Sequence, residues 1–157
     1  MKFICSIIVV EDIARSRKLY ENILHQKVIA DFGDNNVAFE GGLALYKRSL
    51  YQSLIAEERI MNKSNNFELY FEENNLIDIE NEILKNGFEF IHQIREEPWK
   101  QQVFRFYDYD NNIVVIAESM EKVSYRLFKE NKTIDEISKM TGFRVDQVLQ
   151  QIKEYKE

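Results

Sequence analysis

Three side chains that could do chemistry lie on one short segment of the chain. Within Phe67–Glu72 polar and apolar residues alternate, so that Glu68, Tyr70 and Glu72 share one face of a predicted strand. A carboxylate on a buried face must find a hydrogen-bond donor or take up a proton, because an isolated buried charge is costly. Glu68 is therefore a candidate general base, whereas on a solvated outer face it would have no special role.

Arg105 is the cation best suited to meet such a carboxylate. If residues 108–112 close as a three-residue loop with a left-handed fourth position, Arg105 lies opposite Val115 and Tyr107 opposite Ile113. A two-residue turn would place both side chains on the other face. Because an unpaired charge among apolar strand residues is unfavourable, we expect the arginine to pair with the carboxylate.

Cys5 and Trp99 are two further residues with chemistry of their own. Cys5 lies in an apolar strand, where it is either a small core residue or a thiol that faces a ligand and needs a neighbouring cation. Trp99 follows the only proline, in a predicted long irregular connection over Ile91–Lys100 that also holds His92. A tryptophan in such a loop either anchors local packing or stacks on a ligand.

These residues belong to a pattern of one strand, one helix and three strands that occurs twice. In the first copy Asp12 caps the helix, and the predicted strands are Phe3–Val10, Lys27–Asp31, Asn36–Glu40 and Leu43–Lys47. In the second copy Asn75 caps the helix, and the predicted strands are Phe67–Glu73, Phe88–Gln93, Gln102–Asp108 and Ile113–Ala117. We therefore expect an α+β domain at residues 1–118, with βαβββ modules at residues 1–48 and 66–118.

Residues 119–157 are predicted to form a C-terminal helical hairpin. Thr133 and Glu136 make a capping box, and a short glycine turn leads into a last helix at Arg144–Tyr155, which gives a helix-turn-helix outline. This last helix carries two basic and two acidic residues, so we expect a packing or dimer element rather than a DNA reader. Its candidate interface patch consists of Val148, Leu149 and Ile152.

Two short motifs are similar to those of a known superfamily. Val10–Asp12 leading to Ser16–Tyr20 is similar to V-x-D…S-x-x-F-Y, and Phe104–Asn111 is similar to R-F-x-D-P-D-G. Over residues 3–118 the chain resembles the vicinal oxygen chelate superfamily, which includes glyoxalase I, bleomycin-resistance proteins and extradiol dioxygenases. The resemblance implies that the two modules form a curved mixed sheet around a ligand-sized cavity.

The resemblance also implies where a metal would bind. The four ligand positions of the superfamily's metal enzymes fall on Cys5, Ala44, Glu68 and Val115. Only the thiol and the carboxylate could ligate, whereas a firmly held divalent ion needs three or four converging ligands. We therefore expect no cofactor, and a divalent metal is disfavoured.

By the same analogy, Val115 marks the face of the sheet that lines the cavity. Arg105 and Tyr107 would then join Glu68 and Tyr70 there, and we expect these residues to contact a ligand. The remaining predicted ligand contacts are Cys5 and Trp99.

The composition restricts location and partners. The chain carries a net charge of −6, which gives no electrostatic footprint for nucleic acid or an anionic membrane. It has one cysteine and no predicted signal peptide or membrane helix, so we expect a cytoplasmic protein. Half-barrels of this type complete their cavity against a partner half, within one chain or between two, and from the resemblance we expect a homodimer.

Three functions remain open at this point. The first is binding of a small organic molecule in a polar and aromatic cavity, without a complete metal site. The second is a lyase, isomerase or dioxygenase-type enzyme that acts on a small carbonyl substrate, with Glu68 as the general base. The third is a regulator that senses a ligand and uses the C-terminal helices to contact DNA.

Overall fold

Two four-stranded sheets form the framework of the protein. In the computed structural model, which describes residues 1–155, the strands of the first sheet are β1 (Ser6–Val10), β2 (Val28–Asp31), β3 (Asn36–Phe39) and β4 (Leu43–Lys47). Those of the second are β5 (Glu68–Glu72), β6 (Phe90–Glu96), β7 (Gln102–Tyr107) and β8 (Ile113–Ala117). The orders are β1-β4-β3-β2 and β5-β8-β7-β6, which confirms the α+β class and the doubled strand pattern.

The helices follow the predicted order. Asp12 caps α1 (Ile13–Arg17), which continues as a π-helical segment over Lys18–Ile23, and the apolar side chains of Ile13, Leu19, Tyr20 and Ile23 are buried. The others are α2 (Arg48–Leu54), α3 (Leu76–Lys85), α4 (Met120–Lys129), α5 (Ile134–Thr141) and α6 (Val145–Glu154). Within residues 1–155, none of the helices has the length and apolar character needed to cross a membrane.

The contacts group the residues into two compact units. The first unit comprises residues 1–68, 86–89 and 107–113, and its buried side chains include Val10, Leu19, Tyr20, Val37, Phe39 and Leu45. The second comprises residues 69–85, 90–106 and those from 114 onward, and its buried side chains include Val103, Phe104, Phe106, Val115 and Ile116. The division predicted from the sequence, with a boundary at residue 118, stays a prediction.

The prediction of a long irregular connection over Ile91–Lys100 is wrong. β6 runs from Phe90 to Glu96 and contains His92, so that a short turn joins it to β7. Its pairing with β7 shifts register twice, between Phe90 and His92 and again between His92 and Arg95. Such irregularities break the alternation of inward and outward side chains by which a strand is detected in a sequence.

The connection between β7 and β8 is the three-residue loop that the sequence predicts. We call residues 108–112 the aspartate turn. The amide of Asp108 donates to the carbonyl of Asn112 (3.0 Å), the amide of Asn111 donates to the carbonyl of Asp108 (3.2 Å), and Asn111 has a φ of 64°. Asparagine adopts this left-handed conformation more readily than other non-glycine residues, so the turn is favoured by its own sequence.

The register set by this turn is kept along the strand pair. Near the far end of β7 the amide of Glu118 donates to the carbonyl of Gln102 (3.0 Å), which is the same register as at the turn. Arg105 therefore lies opposite Val115, as predicted. The alternative of a two-residue turn is wrong.

The turn between β6 and β7 has the same backbone geometry. We call residues 97–101 the tryptophan turn, since Trp99 lies at its tip. The amide of Glu97 donates to the carbonyl of Gln101 (2.8 Å), and the amide of Lys100 donates to the carbonyl of Glu97 (2.8 Å). Here the left-handed residue is Lys100, with a φ of 74°.

The two motifs that carry the family resemblance bind each other. In the first unit, Asp108 Oδ2 accepts a hydrogen bond from the Tyr20 hydroxyl (2.9 Å). Asp110 Oδ1 accepts from the amide of Glu11 (3.0 Å) and from Arg15 (3.2 Å). Burial, followed by the negative charge of Asp108, raises the pKa of Tyr20, which keeps this hydroxyl protonated. The motifs therefore serve the fold.

The C-terminal helices pack on one another around Val123, Leu127, Ile137 and Val148. The predicted capping box at Thr133 is present, and Gly142 ends α5 with a φ of 78°. The predicted interface patch is wrong as a unit: Val148 is buried and Ile152 packs against the core, whereas Leu149 is 53% exposed. The buried Gln151, which accepts from the Ser124 hydroxyl (2.7 Å), takes an inward position that an apolar pattern does not predict.

Candidate functional site

A buried glutamine fixes two half-exposed aromatic rings in the second unit. Gln101 is only 3% exposed, and its Nε2 donates to the Tyr70 hydroxyl (2.6 Å) and to the carbonyl of Glu118 (2.7 Å). Its Oε1 accepts from Trp99 Nε1 (2.8 Å). The polar edges of both rings are used in these bonds, yet Tyr70 is 49% exposed and Trp99 41% exposed. Such fixed rings offer area on which a planar group can stack.

Arg105 lies in a polar cluster on the strands that flank the tryptophan turn. Its NH1 group donates to Glu97 Oε1 (2.8 Å) and is 3.2 Å from His92 Nε2. His92 Nδ1 is 2.9 Å from the carbonyl of Gln93. A carbonyl can only accept, so this bond requires a proton on Nδ1, and Nε2 is then free to accept from the arginine. The two contacts thus give Nδ1 the role of donor and Nε2 the role of acceptor.

The carboxylate of this cluster is largely buried. Burial raises the pKa of Glu97, but the hydrogen bond and charge of Arg105 outweigh it, together with Arg95 at 3.5 Å. The net effect is a pKa below the ordinary value, so Glu97 is ionised at neutral pH. An apolar cluster of Val103, Val115 and Ala117 lies on neighbouring strands, and Val103 shares the face of β7 with Arg105 by alternation.

Glu68 lines a pocket in the first unit. The pocket has a volume of about 280 Å³, and its other lining residues are Asn65, Asn66, Phe67 and Ile113. Ligand pockets typically enclose about 300 to 1,000 Å³, so this one is smaller than usual and has room for a small group only.

Tyr107 and Cys5 also belong to the first unit. Tyr107 is buried, its hydroxyl donates to Asn65 Oδ1 (2.9 Å), and the Lys63 ammonium lies 4.2 Å from its ring centroid. Cys5 is half-buried, just before β1. Their predicted contacts with a ligand stay predictions, as does the pairing of Glu68 with Arg105.

The residues do not fit a metal ion of the superfamily's type. Ala44 and Val115, which occupy two of the four ligand positions, are buried and have no donor atom in their side chains. Among residues 1–155, no group of three or more histidine, cysteine, aspartate or glutamate side chains is arranged to hold a metal.

Sequence reasoning missed Glu97, Gln101, Glu118 and Arg126. Glu118 is 1% exposed, and its Oε1 accepts from the amide of Gln102 (3.0 Å) and from Arg126 NH2 (2.7 Å). Glutamine has no signature spacing that predicts a role in holding aromatic rings. The available signal was the row of polar residues on both sides of Pro98 and Trp99.

The comparisons with known proteins agree with this architecture. The family model described as a glyoxalase-like domain matches residues 3–121, and the chain belongs to this family. A solved structure of a protein of unknown function from Agrobacterium tumefaciens strain C58 is 33% identical, with a TM-score of 0.67. The alignment covers 76% of this chain and 94% of that one.

More distant solved structures share the fold. A lactoylglutathione lyase from Agrobacterium tumefaciens is 12% identical with a TM-score of 0.59, over 76% of this chain and 94% of that one. A glyoxalase/bleomycin resistance protein/dioxygenase from Nocardioides is 17% identical with a TM-score of 0.56, over 75% and 83%. No curated protein matches the chain. The family assignment confirms the predicted resemblance.

Proposed function

We propose that this glyoxalase-like protein binds a small organic ligand that carries a planar ring, which stacks on Tyr70 and Trp99. The observation that carries the proposal is the position of Gln101. A buried amide that bonds both rings fixes them, while about half of each ring stays exposed and can meet a ligand. Arg105 supplies a charge that can orient the ligand.

Glu68 is proposed as a separate ligand contact, within the pocket that it lines in the first unit. A small ligand there would meet its carboxylate. We propose no metal in this function, because two of the superfamily's ligand positions lack donor atoms.

The test uses the fluorescence of Trp99, which is the only tryptophan of the chain. Benzyl alcohol, benzoate and benzamidine share one ring and differ in charge, and each is titrated into the protein. We expect saturable quenching, with benzoate bound best because Arg105 orients it. If none of the three gives saturable quenching, the proposal is wrong.

One variant tests the role of Gln101 in ligand binding, and a second serves as its control. Gln101→Leu removes the hydrogen bonds that fix both rings and should weaken benzoate binding about tenfold. This change corresponds to roughly 1.4 kcal/mol of binding free energy. Phe128→Ala removes another half-exposed aromatic ring, in α4, and should bind as the unaltered protein does. Equal losses in both variants would count against a specific site.

A second candidate function is proton abstraction by Glu68, which the pocket around this residue favours. The substrate would be a small carbonyl compound or a thiol adduct of one. No electrophile for the resulting enediolate is evident among the lining side chains, so we expect slow turnover at best. Glu68→Gln should abolish any activity found, while Glu72→Gln, on the same strand, should retain it.

We further propose that the protein forms a homodimer. Leu149 and Val145 leave exposed apolar area on α6, which a second copy would cover. Light scattering at micromolar concentration should give twice the chain mass, and Leu149→Lys should lower it. A monomeric mass for the unaltered protein would contradict this.

A further inference from the structure

The tryptophan turn needs support from outside its own sequence. Lys100 has a φ of 74°, a conformation that costs a residue with a side chain more than it costs glycine. Its ammonium bonds Glu96 Oε1 (2.7 Å), but this pair is exposed and such pairs contribute little. Some other contact must hold the turn that presents Trp99.

Arg126 supplies that contact. Its NH2 group donates to the carbonyl of Lys100 (2.8 Å) and to Glu118 Oε1 (2.7 Å). The carboxylate also accepts from the amide of Gln102, and the Glu118 carbonyl accepts from the side chain of Gln101. Each of the three residues that follow Trp99 is thus bonded to Glu118 or Arg126.

The helix that carries Arg126 is itself well fixed. Ser119 caps α4, and both its amide and its hydroxyl donate to Asn74 Oδ1 (3.1 Å each). Val123 and Leu127, on either side of Arg126 in sequence, are buried in the core of the C-terminal helices. The arginine is therefore presented by a packed element, which is what a precise contact requires.

We propose that Arg126 is a positioning residue for Trp99, and that the C-terminal extension thereby completes the ligand site. Arg126 lies beyond residue 121, where the match to the glyoxalase-like domain ends. The part of the inference that concerns a ligand rests on the proposed function. The part that concerns the turn does not, and the two are tested separately.

The variants must remove the contacts of Arg126 with Glu118 and with the carbonyl of Lys100, without leaving an unpaired buried charge. Removing Arg126 alone would strand the Glu118 carboxylate, so the main variant is the double change Glu118→Gln with Arg126→Met. Adding Lys100→Gly to it gives a turn that adopts its φ without strain. Arg144→Met is the control, since this exposed arginine of the same extension pairs with Asp146, two residues away.

The first readout is quenching of Trp99 fluorescence by acrylamide, with no ligand present. Trp99 is 41% exposed, so release of the turn should raise the quenching constant roughly twofold in the double variant. The triple variant should return to the original value, and Arg144→Met should not change it. An unchanged constant in a folded double variant, or a triple variant that is not restored, would overturn the proposal.

Arg126→Lys covers the case in which the double variant does not fold, as judged by circular dichroism. The ammonium keeps a charge beside Glu118, but the lysine side chain is shorter than arginine and its nitrogen falls short of the position from which NH2 bonds both oxygens, so quenching should rise. Lys100→Gly should again restore it. No rise with Arg126→Lys would also contradict the proposal.

The second readout is benzoate binding to the same variants. We expect it to weaken about tenfold in the double variant and to recover in the triple variant. If benzoate does not bind the unaltered protein while the quenching pattern is as expected, the ligand proposal fails and the positioning role stands. If benzoate binds equally to all variants, Arg126 does not complete the site.

Discussion

The aspartate turn and the tryptophan turn have the same pattern of backbone hydrogen bonds, and each has a left-handed residue at its fourth position. They are nevertheless stabilised in different ways. In the aspartate turn the left-handed residue is Asn111, and Asp108 Oδ1 accepts from the amides of Asp110 (2.9 Å) and Asn112 (2.8 Å). In the tryptophan turn the left-handed residue is Lys100, whose carbonyl accepts a hydrogen bond from Arg126.

The difference separates a structural polar cluster from a candidate site. The aspartate turn buries its carboxylates, satisfies them with neighbouring donors and exposes little that a ligand could use. The tryptophan turn has an unfavourable residue in the left-handed position, depends on a distant helix and exposes half an indole ring. Strain that is held by the surroundings is typical of functional positions.

The largest effect is expected at the aspartate turn. Asp108→Ala leaves the Tyr20 hydroxyl and two turn amides without their acceptor, which should lower the free energy of unfolding by about 3–5 kcal/mol. Urea unfolding measures the change. Asp31→Ala, which removes an exposed aspartate paired with Arg17, should cost far less. Similar losses in the two variants would mean that the buried network is not what stabilises this turn.

A smaller, pH-dependent effect is expected beside the tryptophan turn. The pKa of Glu97 is lower in the folded protein than its ordinary value, so its charge stabilises the fold above that value. This stabilisation disappears as the pH falls through the lowered pKa. Glu97→Gln should therefore cost about 1 kcal/mol at pH 7 and less near pH 3.

Urea unfolding at the two pH values checks this prediction. The matched control is Glu96→Gln, which removes the neighbouring, exposed carboxylate that pairs with Lys100. We expect a much weaker pH dependence for it. A constant difference between Glu97→Gln and the unaltered protein across this range would show that the charge of Glu97 is unimportant.

The smallest effect on stability is expected when the left-handed residue of each turn is replaced by glycine. Lys100→Gly should raise the free energy of unfolding by about 0.5–1 kcal/mol, because glycine adopts a φ of 74° freely. Asn111→Gly should change it by only a few tenths of a kcal/mol, since asparagine already tolerates this conformation. Thermal unfolding measures both, and a larger gain for Asn111→Gly would reverse the comparison.

The sequence predicted the aspartate turn because its residue types are specific. Asn111 marks a left-handed position, and from it follows the register that places Arg105 opposite Val115. The two βαβββ patterns were likewise predictable, because alternating strands and a helix-spaced set of apolar residues leave a clear periodicity.

The tryptophan turn could not be predicted by the same reasoning. Lysine has no preference for a left-handed conformation, and the register shifts in β6 hide the part of this strand that follows Gln93. Gln101 acts through three hydrogen bonds to residues that lie 2, 17 and 31 positions away. Arg126 reaches the turn from another helix, and no local pattern encodes such a contact.

The position of Arg126 in the chain also sets an order of events during synthesis. Every hydrogen-bond partner of the aspartate turn described above precedes or belongs to it, so this turn can form as soon as residue 112 is available. The tryptophan turn is translated earlier but must wait for Arg126, 26 residues after Lys100. Since chains fold progressively as they emerge from the ribosome, the earlier turn in sequence is the later one to reach its final conformation.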